Sequence, residues 1–287
     1  MEMFVSPHKS ALDRGNAYWM ARCAKAVYKN GRDEILEQLR SQDYNFHDDG
    51  FQDVRDVVRD SGSEAALIEH ELYVCIAFRG TNDCRDWLKN LSFRATEQLF
   101  GKFHSGFWSA VEDVWNSDGK SDGLWAAYEA SQARKPRPLF LTGHSLGGAM
   151  ASIAAARLVA ADVPFTSAYT FGQPRATIAE TVEYLDAKSK SRFFRFENNN
   201  DIVTKIPSPL AGYRHNGTHL YITTDKQILR EPSTGLLLGD SLEGLIRAIP
   251  EQGLDFLRDH GIADYISSIE ESKPCFEYTA FPKVTQG

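Results

Sequence analysis

The sequence predicts an α/β fold in which a central, mostly parallel sheet is flanked by helices. Short apolar runs typical of strands alternate with segments of helical periodicity through the middle of the chain. The run at residues 72–78 is almost wholly apolar, as expected of a strand that is covered on both faces. No linker, internal repeat or low-complexity tract divides the chain. We therefore predict a single domain over residues 1–287.

Individual elements follow from the spacing of the apolar residues. Helical spacing predicts helices over residues 11–29 and 32–40. The segments that follow are predicted as strands at 54–58, 65–70 and 72–78, a long helix that follows 103–108 and reaches about 133 with an interruption near 117–123, a strand at 139–141, a helix at 149–161, a strand at 165–171, a helix at 178–188, strands at 192–197 and 218–223, and a final helix at 262–270.

A candidate nucleophile lies in Gly143-His144-Ser145-Leu146-Gly147, between an apolar run and an Ala-rich helical segment. This is the G-x-S-x-G pattern in a strand–turn–helix context, which is the context of the nucleophile in α/β hydrolases. The glycines leave room for a tight turn, and the turn presents the hydroxyl of Ser145 to substrate. The alternative is a serine that caps an ordinary helix. The strand before it and the helix after it favour a nucleophile.

A serine hydroxyl needs a base, and the base needs an orienting acid. In α/β hydrolases the acid and then the histidine follow the serine along the chain. Asp201 is the strongest acid candidate because it lies in a polar turn directly after a predicted strand, although an Asx-turn role fits that loop equally well. Three histidines follow the serine, and spacing alone does not separate them: His215, His219 and His260.

Six segments, in a fixed order along the chain, resemble motifs of the class 3 lipases. They are Phe78-Arg79-Gly80-Thr81, Asp86-Trp87-Leu88 with Asn90-Leu91, His104-Ser105-Gly106-Phe107, Gly143-His144-Ser145-Leu146-Gly147-Gly148, Phe171-Gly172-Gln173-Pro174-Arg175, and Asn200-Asp201-Ile202-Val203 with Pro207. The resemblance covers about residues 72–221, continues weakly to Tyr265, and implies an α/β-hydrolase fold and hydrolysis of carboxylic esters.

The resemblance also assigns roles. It makes His260 the preferred base, because Asp259-His260-Gly261 looks like the late loop that supplies the base in this family. It gives Thr81 an oxyanion role, together with the backbone N–H of Leu146. It implies a short helical lid at residues 84–91, for which an ordinary packed surface helix is an equal alternative. The segment at about 234–250 has no clear counterpart in the compact fungal enzymes, and we expect it to form a second cover or an acyl-binding wall.

The expected function is that of a serine carboxylester hydrolase, a triacylglycerol lipase that works through an acyl-enzyme intermediate without cofactor or metal ion. The alternatives on the same scaffold are an esterase, a feruloyl esterase and a phospholipase A1. An alternative of another class is a non-catalytic module that binds apolar ligands. The expected partners are lipid or other esters and, through the lid, a transient contact with a lipid surface.

Composition limits the other function classes. The net charge of −7 without a dense Lys/Arg cluster argues against a nucleic-acid partner. No apolar run is long enough to predict a transmembrane segment. The first 14 residues lack the basic region and apolar stretch of a signal peptide, so we expect a cytoplasmic protein, one secreted without a recognisable signal, or a chain that begins after a removed leader.

The four cysteines include no C-x-x-C pair, so neither a zinc site nor a dense disulfide framework is indicated. Cys75 lies in an apolar run and is expected to be buried. The pairing of Cys23, Cys84 and Cys275 is not fixed by the sequence.

Overall fold

An eight-stranded mixed sheet forms the centre of the protein. The structure, a computed structural model, describes residues 3–41, 48–81, 94–199, 201–233 and 260–272. Two helices precede the sheet, α1 (Arg14–Ala26) and α2 (Gly31–Arg40). The strands of the sheet are β1 (Phe51–Val58), β2 (Glu64–His70), β3 (Val74–Phe78), β6 (Leu139–His144), β7 (Ser167–Phe171), β9 (Phe193–Asn198), β11 (Thr218–Ile222) and β12 (Ile228–Arg230).

The remaining elements connect or flank these strands. They are β4 (Ala95–Gln98), β5 (Gly101–His104), α3 (Ser105–Trp115), α4 (Leu124–Arg134), α5 (Leu146–Ala160), β8 (Thr177–Ile178), α6 (Ala179–Ser189), β10 (Tyr213–Arg214) and α7 (Ile262–Glu271), with 3₁₀ turns at Lys190–Arg192, Val203–Lys205 and Pro209–Ala211.

The strand order in the central sheet is β1-β2-β3-β6-β7-β9-β11-β12. The pairings from β3 through β6, β7 and β9 to β11 are all parallel, whereas β1–β2, β2–β3 and β11–β12 are antiparallel. The prediction of a mostly parallel sheet flanked by helices is therefore confirmed. Because the carboxyl ends of parallel strands share one edge, the loops after β3, β6, β7 and β9 are brought together there.

Both faces of the sheet are covered, which explains the unbroken apolar run in β3. Cys75 and Ala77 point into the core cluster formed with α1 and α7. The alternate residues Val74, Ile76 and Phe78 point into the cluster on the opposite face, formed with α3 and α5. Successive side chains of a strand lie on opposite faces, so a strand between two helical layers needs apolar residues at every position.

A second, four-stranded sheet was not predicted. Its order is β10-β8-β5-β4. Two of its strands have only two residues, and β4 alternates exposed and half-buried positions without a large apolar side chain. Such short and polar strands lack the periodicity on which sequence analysis depends. This sheet holds His104, which ends β5 and accepts a hydrogen bond from the backbone N–H of Phe107 at the start of α3.

Several expectations concern segments that the structure does not describe. The lid at residues 84–91, the cover at 234–250, Cys84 and Cys275 all lie outside the described residues. Cys23 and Cys75 are both buried free thiols. Within the described ranges, no helix has the length and apolar character needed to cross a membrane. In the same ranges no group of side chains suited to hold a metal ion is found.

Candidate active site

Ser145 lies on a sharp turn between β6 and α5. Its backbone has φ 59° and ψ −129°, a combination that L-residues rarely adopt and that costs about 1–3 kcal/mol. A Cβ at Gly143 would collide with the backbone of Gly147, so the turn excludes a side chain there. The backbone N–H of Ser145 donates to the carbonyl oxygen of Phe171 at 2.9 Å. The Ser145 side chain makes no capping hydrogen bond, contrary to the alternative in which it only caps the helix.

Asp201 and His260 form a buried pair. Nδ1 of His260 lies 2.8 Å from Oδ2 of Asp201, and both side chains are almost fully buried. A carboxylate only accepts hydrogen bonds, so the neutral His260 ring carries its proton on Nδ1 and has Nε2 as its proton-accepting nitrogen. This is the tautomer that a general base requires.

Two further donors hold the Asp201 carboxylate. The hydroxyl of Tyr265 donates to Oδ2 at 2.7 Å, and the backbone N–H of Val203 donates to Oδ1 at 2.9 Å. Burial and the nearby Asp201 charge raise the pKa of Tyr265 well above its usual value, so the hydroxyl keeps its proton. Three hydrogen bonds therefore fix the carboxylate against the imidazole. Tyr265 ends the weakly matching continuation of the resemblance, but nothing in the sequence indicated this role for it.

The other two candidate histidines have structural partners elsewhere. Nε2 of His215 lies 2.8 Å from the carbonyl oxygen of Thr204. Nε2 of His219 lies 3.1 Å from Oε2 of Glu197. Burial lowers the pKa of both rings, and that of His215 well below its usual value. Of the three histidines left open by spacing, His260 is the one that the structure brings to Asp201.

The loop after β3 lies against the turn that carries Ser145, the candidate nucleophile. A Cβ at Gly80 would come within 3.2 Å of Cβ of Ser145, so the two backbones approach closely there. Thr81 follows in this loop, and Leu146 is the first residue of α5, where backbone N–H groups have no acceptor within the helix. The positive end of the helix dipole adds to the attraction for a negative charge at this point.

A cavity of about 450 Å³ opens beside these residues. Thr81 and Leu146 both line it, and Ala110 and Met150 add apolar surface. Ser61, Ser63, Glu64 and Arg79 contribute polar groups. The volume falls within the usual range for pockets that bind small molecules.

Gly172 is a close contact of the Asp201–His260 pair. It has φ +60°, and a Cβ there would lie 2.8 Å from Oδ2 of Asp201 and 2.9 Å from Nδ1 of His260. Gly172 belongs to the Phe171-Gly172-Gln173 motif of the sequence, but the motif gave no reason for the glycine. The structure gives that reason: the Asp201 and His260 side chains lie so close to the Gly172 backbone that no side chain fits there.

Gly172→Ala is expected to lower kcat for ester hydrolysis about 100-fold, because displacements of about 1 Å at a reacting group cost that much. Gly212→Ala is the matched control. Gly212 also has a left-handed backbone, with φ +86°, but a Cβ there would meet nothing within 4 Å. Both variants therefore carry backbone strain, and only the first presses on the pair. Equal activity of the two variants in a chromogenic ester assay would contradict the prediction.

Part of the sequence is similar to that of known proteins. Residues 75–210 match the family described as Lipase (class 3). The secreted mono- and diacylglycerol lipase A of Penicillium cyclopium is 29% identical over 171 residues, covering 58% of this chain and 53% of the relative. The secreted mono- and diacylglycerol lipase 1 of Fusarium solani is 30% identical over 153 residues, covering 52% and 44%. The chain thus spans about half the length of the curated relatives it matches.

Solved structures give the same result for the fold. A crystal structure of a mutant form of MDLA from Penicillium cyclopium superposes with a TM-score of 0.65 at 22% identity, covering 88% of this chain and 97% of that one. The triacylglyceride lipase of Rhizomucor miehei superposes with a TM-score of 0.64 at 22% identity, covering 86% and 90%. The predicted α/β-hydrolase fold is confirmed.

Proposed function

We propose that the chain, whose residues 75–210 match the class 3 lipase family, is a serine carboxylester hydrolase acting on glyceride esters. The observation that carries the proposal is the buried hydrogen bond between Asp201 and His260 at the sheet edge where Ser145 occupies its strained turn. Phe171 connects the Ser145 turn with the Asp201–His260 pair. Its carbonyl oxygen accepts a hydrogen bond from the Ser145 N–H, and the backbone of the next residue, Gly172, lies against the pair.

In the proposed mechanism, the Ser145 hydroxyl attacks the ester carbonyl while His260 Nε2 takes its proton. Asp201 keeps the imidazole in the correct tautomer and stabilises the imidazolium. The backbone N–H groups of Thr81 and Leu146 donate to the developing oxyanion, a contribution of about 3 kcal/mol for each donor. His260 then protonates the departing alcohol, and a water molecule repeats the sequence on the acyl-enzyme to release the acid.

The names of the relatives support glycerides as the substrate class. Mono- and diacylglycerol lipases and a triacylglyceride lipase stand among them, and for this chain we propose triacylglycerol hydrolysis with partial glycerides as further substrates. We also propose that residues 84–91 form a lid that contacts the lipid surface.

The compartment is proposed on the same basis. The Penicillium and Fusarium relatives are named as secreted proteins, which favours secretion for this protein and gives no support to a cytoplasmic location. Immunodetection in the medium and in washed cells of the source organism tests this, since protein confined to the cells would reject secretion.

The proposal is tested by labelling and by a substrate panel. A fluorophosphonate probe is expected to modify Ser145, as located by mass spectrometry of the labelled peptide. Turnover is then compared on emulsified tri-, di- and monoacylglycerol, phosphatidylcholine, methyl ferulate and a soluble butyrate ester. Preference for phosphatidylcholine, methyl ferulate or the butyrate would replace the glyceride assignment by phospholipase A1, feruloyl esterase or esterase. Failure to label or to hydrolyse any ester would leave a non-catalytic ligand-binding module.

We assign the 450 Å³ cavity to the acyl chain of the substrate. His260 must protonate the departing alcohol, so the alcohol lies on the His260 side, and the cavity beside Thr81 and Leu146 is left for the acyl chain. Ala110→Phe narrows this cavity and is expected to lower the ratio of palmitate to butyrate hydrolysis by about tenfold, the size of effect that pocket shape produces.

Ala130→Phe is the control for this variant, since Ala130 is exposed on α4 and does not line that cavity. An unchanged palmitate-to-butyrate ratio in Ala110→Phe would reject the assignment of the cavity to the acyl chain.

A further inference from the structure

His144 is a buried histidine, 6% exposed, that the proposed mechanism does not use for proton transfer. Its Nε2 lies 2.6 Å from the backbone carbonyl oxygen of His260, and its Nδ1 lies 2.9 Å from the hydroxyl oxygen of Tyr28. The His144 and His260 rings are neighbours, with centroids 4.6 Å apart. Both nitrogens of the residue that precedes Ser145 are therefore engaged by segments more than 100 residues away.

The direction of each hydrogen bond can be deduced. A carbonyl oxygen only accepts, so His144 carries its proton on Nε2 and donates to His260. Nδ1 is then an acceptor, and the hydroxyl of Tyr28 must donate to it. Burial, together with the neighbouring His260, lowers the pKa of His144 well below its usual value. The ring thus stays neutral, and Nδ1 keeps its accepting role.

Tyr28 also contacts a third segment, the loop that leads to Thr81. It follows α1, and a Cβ at Gly80 would collide with its hydroxyl oxygen and with the carbonyl oxygen of His144. The Tyr28 hydroxyl therefore packs directly on the loop that leads to Thr81. The Tyr28 hydroxyl and the His144 imidazole thus connect the three segments that contain Thr81, Ser145 and His260.

We propose that Tyr28 and His144 are positioning residues that hold the main chain of His260 in register with the nucleophile turn. Asp201 restrains the imidazole of His260 at Nδ1, and His144 restrains the backbone of the same residue at its carbonyl oxygen. Two attachment points fix both the position of the ring and the direction of its Nε2. The inference rests on the proposed function, because the direction of Nε2 matters only when His260 is the base.

Two substitutions separate this role from a purely structural one. His144→Gln retains an amide N–H at about the reach of Nε2 and can still donate to the His260 carbonyl. His144→Met fills similar space without a donor. We expect His144→Met to lower kcat about 100-fold with little change in KM, and His144→Gln to stay within about tenfold of the wild type. The acidic limb of the kcat/KM profile should move to lower pH in His144→Met, because a displaced imidazolium is held less well by Asp201.

Tyr28→Phe provides a third, intermediate case. It removes the donor to His144 Nδ1 and leaves the bond from Nε2 to His260 in place, so the fall in kcat should be smaller than in His144→Met. Equal kcat and an equal pH profile in all variants, with only Tm lowered, would overturn the inference. Activity of His144→Gln as low as that of His144→Met would overturn it as well, because the donor would then not be the reason.

A measurement independent of activity separates this inference from the proposed function. In ¹⁵N-labelled protein, the ring of His144 is expected to be protonated at Nε2 and unprotonated at Nδ1 at neutral pH. A ring protonated at Nδ1 overturns the inference even in an active enzyme. Conversely, the wild-type protein could show the expected tautomer and yet neither hydrolyse esters nor react with fluorophosphonate. That result would reject the proposed function but not the hydrogen-bonded arrangement.

Discussion

Ser145→Ala is expected to lower kcat/KM for ester hydrolysis by about 10⁵-fold or more, the loss that removal of a catalytic serine produces in such sites. The hydroxyl supplies the nucleophile, and no other step of the proposed mechanism can replace it. The remaining turnover should come from substrate binding and from the oxyanion donors alone. Turnover of a chromogenic butyrate and thermal unfolding by circular dichroism measure the two quantities needed. Since alanine at this position keeps the same strained backbone, Tm should change little.

Ser152→Ala is the matched control for this experiment. Ser152 lies two turns further along α5, is fully buried, and donates to Oδ1 of Asn216 at 2.7 Å. Loss of that bond should cost about 1 kcal/mol of stability without affecting turnover. Retained hydrolysis by Ser145→Ala, or equal losses in the two variants, would reject Ser145 as the nucleophile.

The sharp turn at Ser145, the proposed nucleophile, was predictable because its determinants are local. Two glycines flank the serine within five residues, and the strand and helix on either side have plain signatures. The helix, however, begins at Leu146 and not at residue 149 as predicted. Glycines at 147 and 148 count against a helix in propensity, but β3 and Gln173 approach them so closely that larger side chains would not fit. Tertiary packing overrides propensity here.

The proposed base, His260, was not predictable from spacing because its assignment depends on contacts between distant segments. Asp201 and His260 are 59 residues apart, and Tyr28 is 116 residues from His144. No local pattern marks such pairs, so only the family resemblance favoured His260. Tyr265, Gly172 and Tyr28 were missed for the same reason: each acts by touching a partner that the chain brings near only when the sheet has formed.

His260→Ala provides the sharpest test of that choice. We expect kcat/KM to fall by about 10⁵-fold, close to the loss in Ser145→Ala, since a serine and its base act as a unit. His219→Ala is the control. Its ring contacts Glu197, which is also paired with Arg195 and Lys205, so the buried carboxylate retains two cations when the ring is removed. This variant should lose stability and keep turnover within about tenfold of the wild type.

The double variant Ser145→Ala/His260→Ala decides whether the two side chains act together. Independent contributions would multiply and give a combined loss of about 10¹⁰-fold, whereas residues that serve one proton transfer give a double variant no worse than the Ser145 variant alone. We expect the second result. A loss in His260→Ala no larger than in His219→Ala would mean that the buried bond to Asp201 serves structure only. The base would then have to be sought elsewhere, with His215 as the next candidate, because Thr204 joins its ring to the backbone of Asp201.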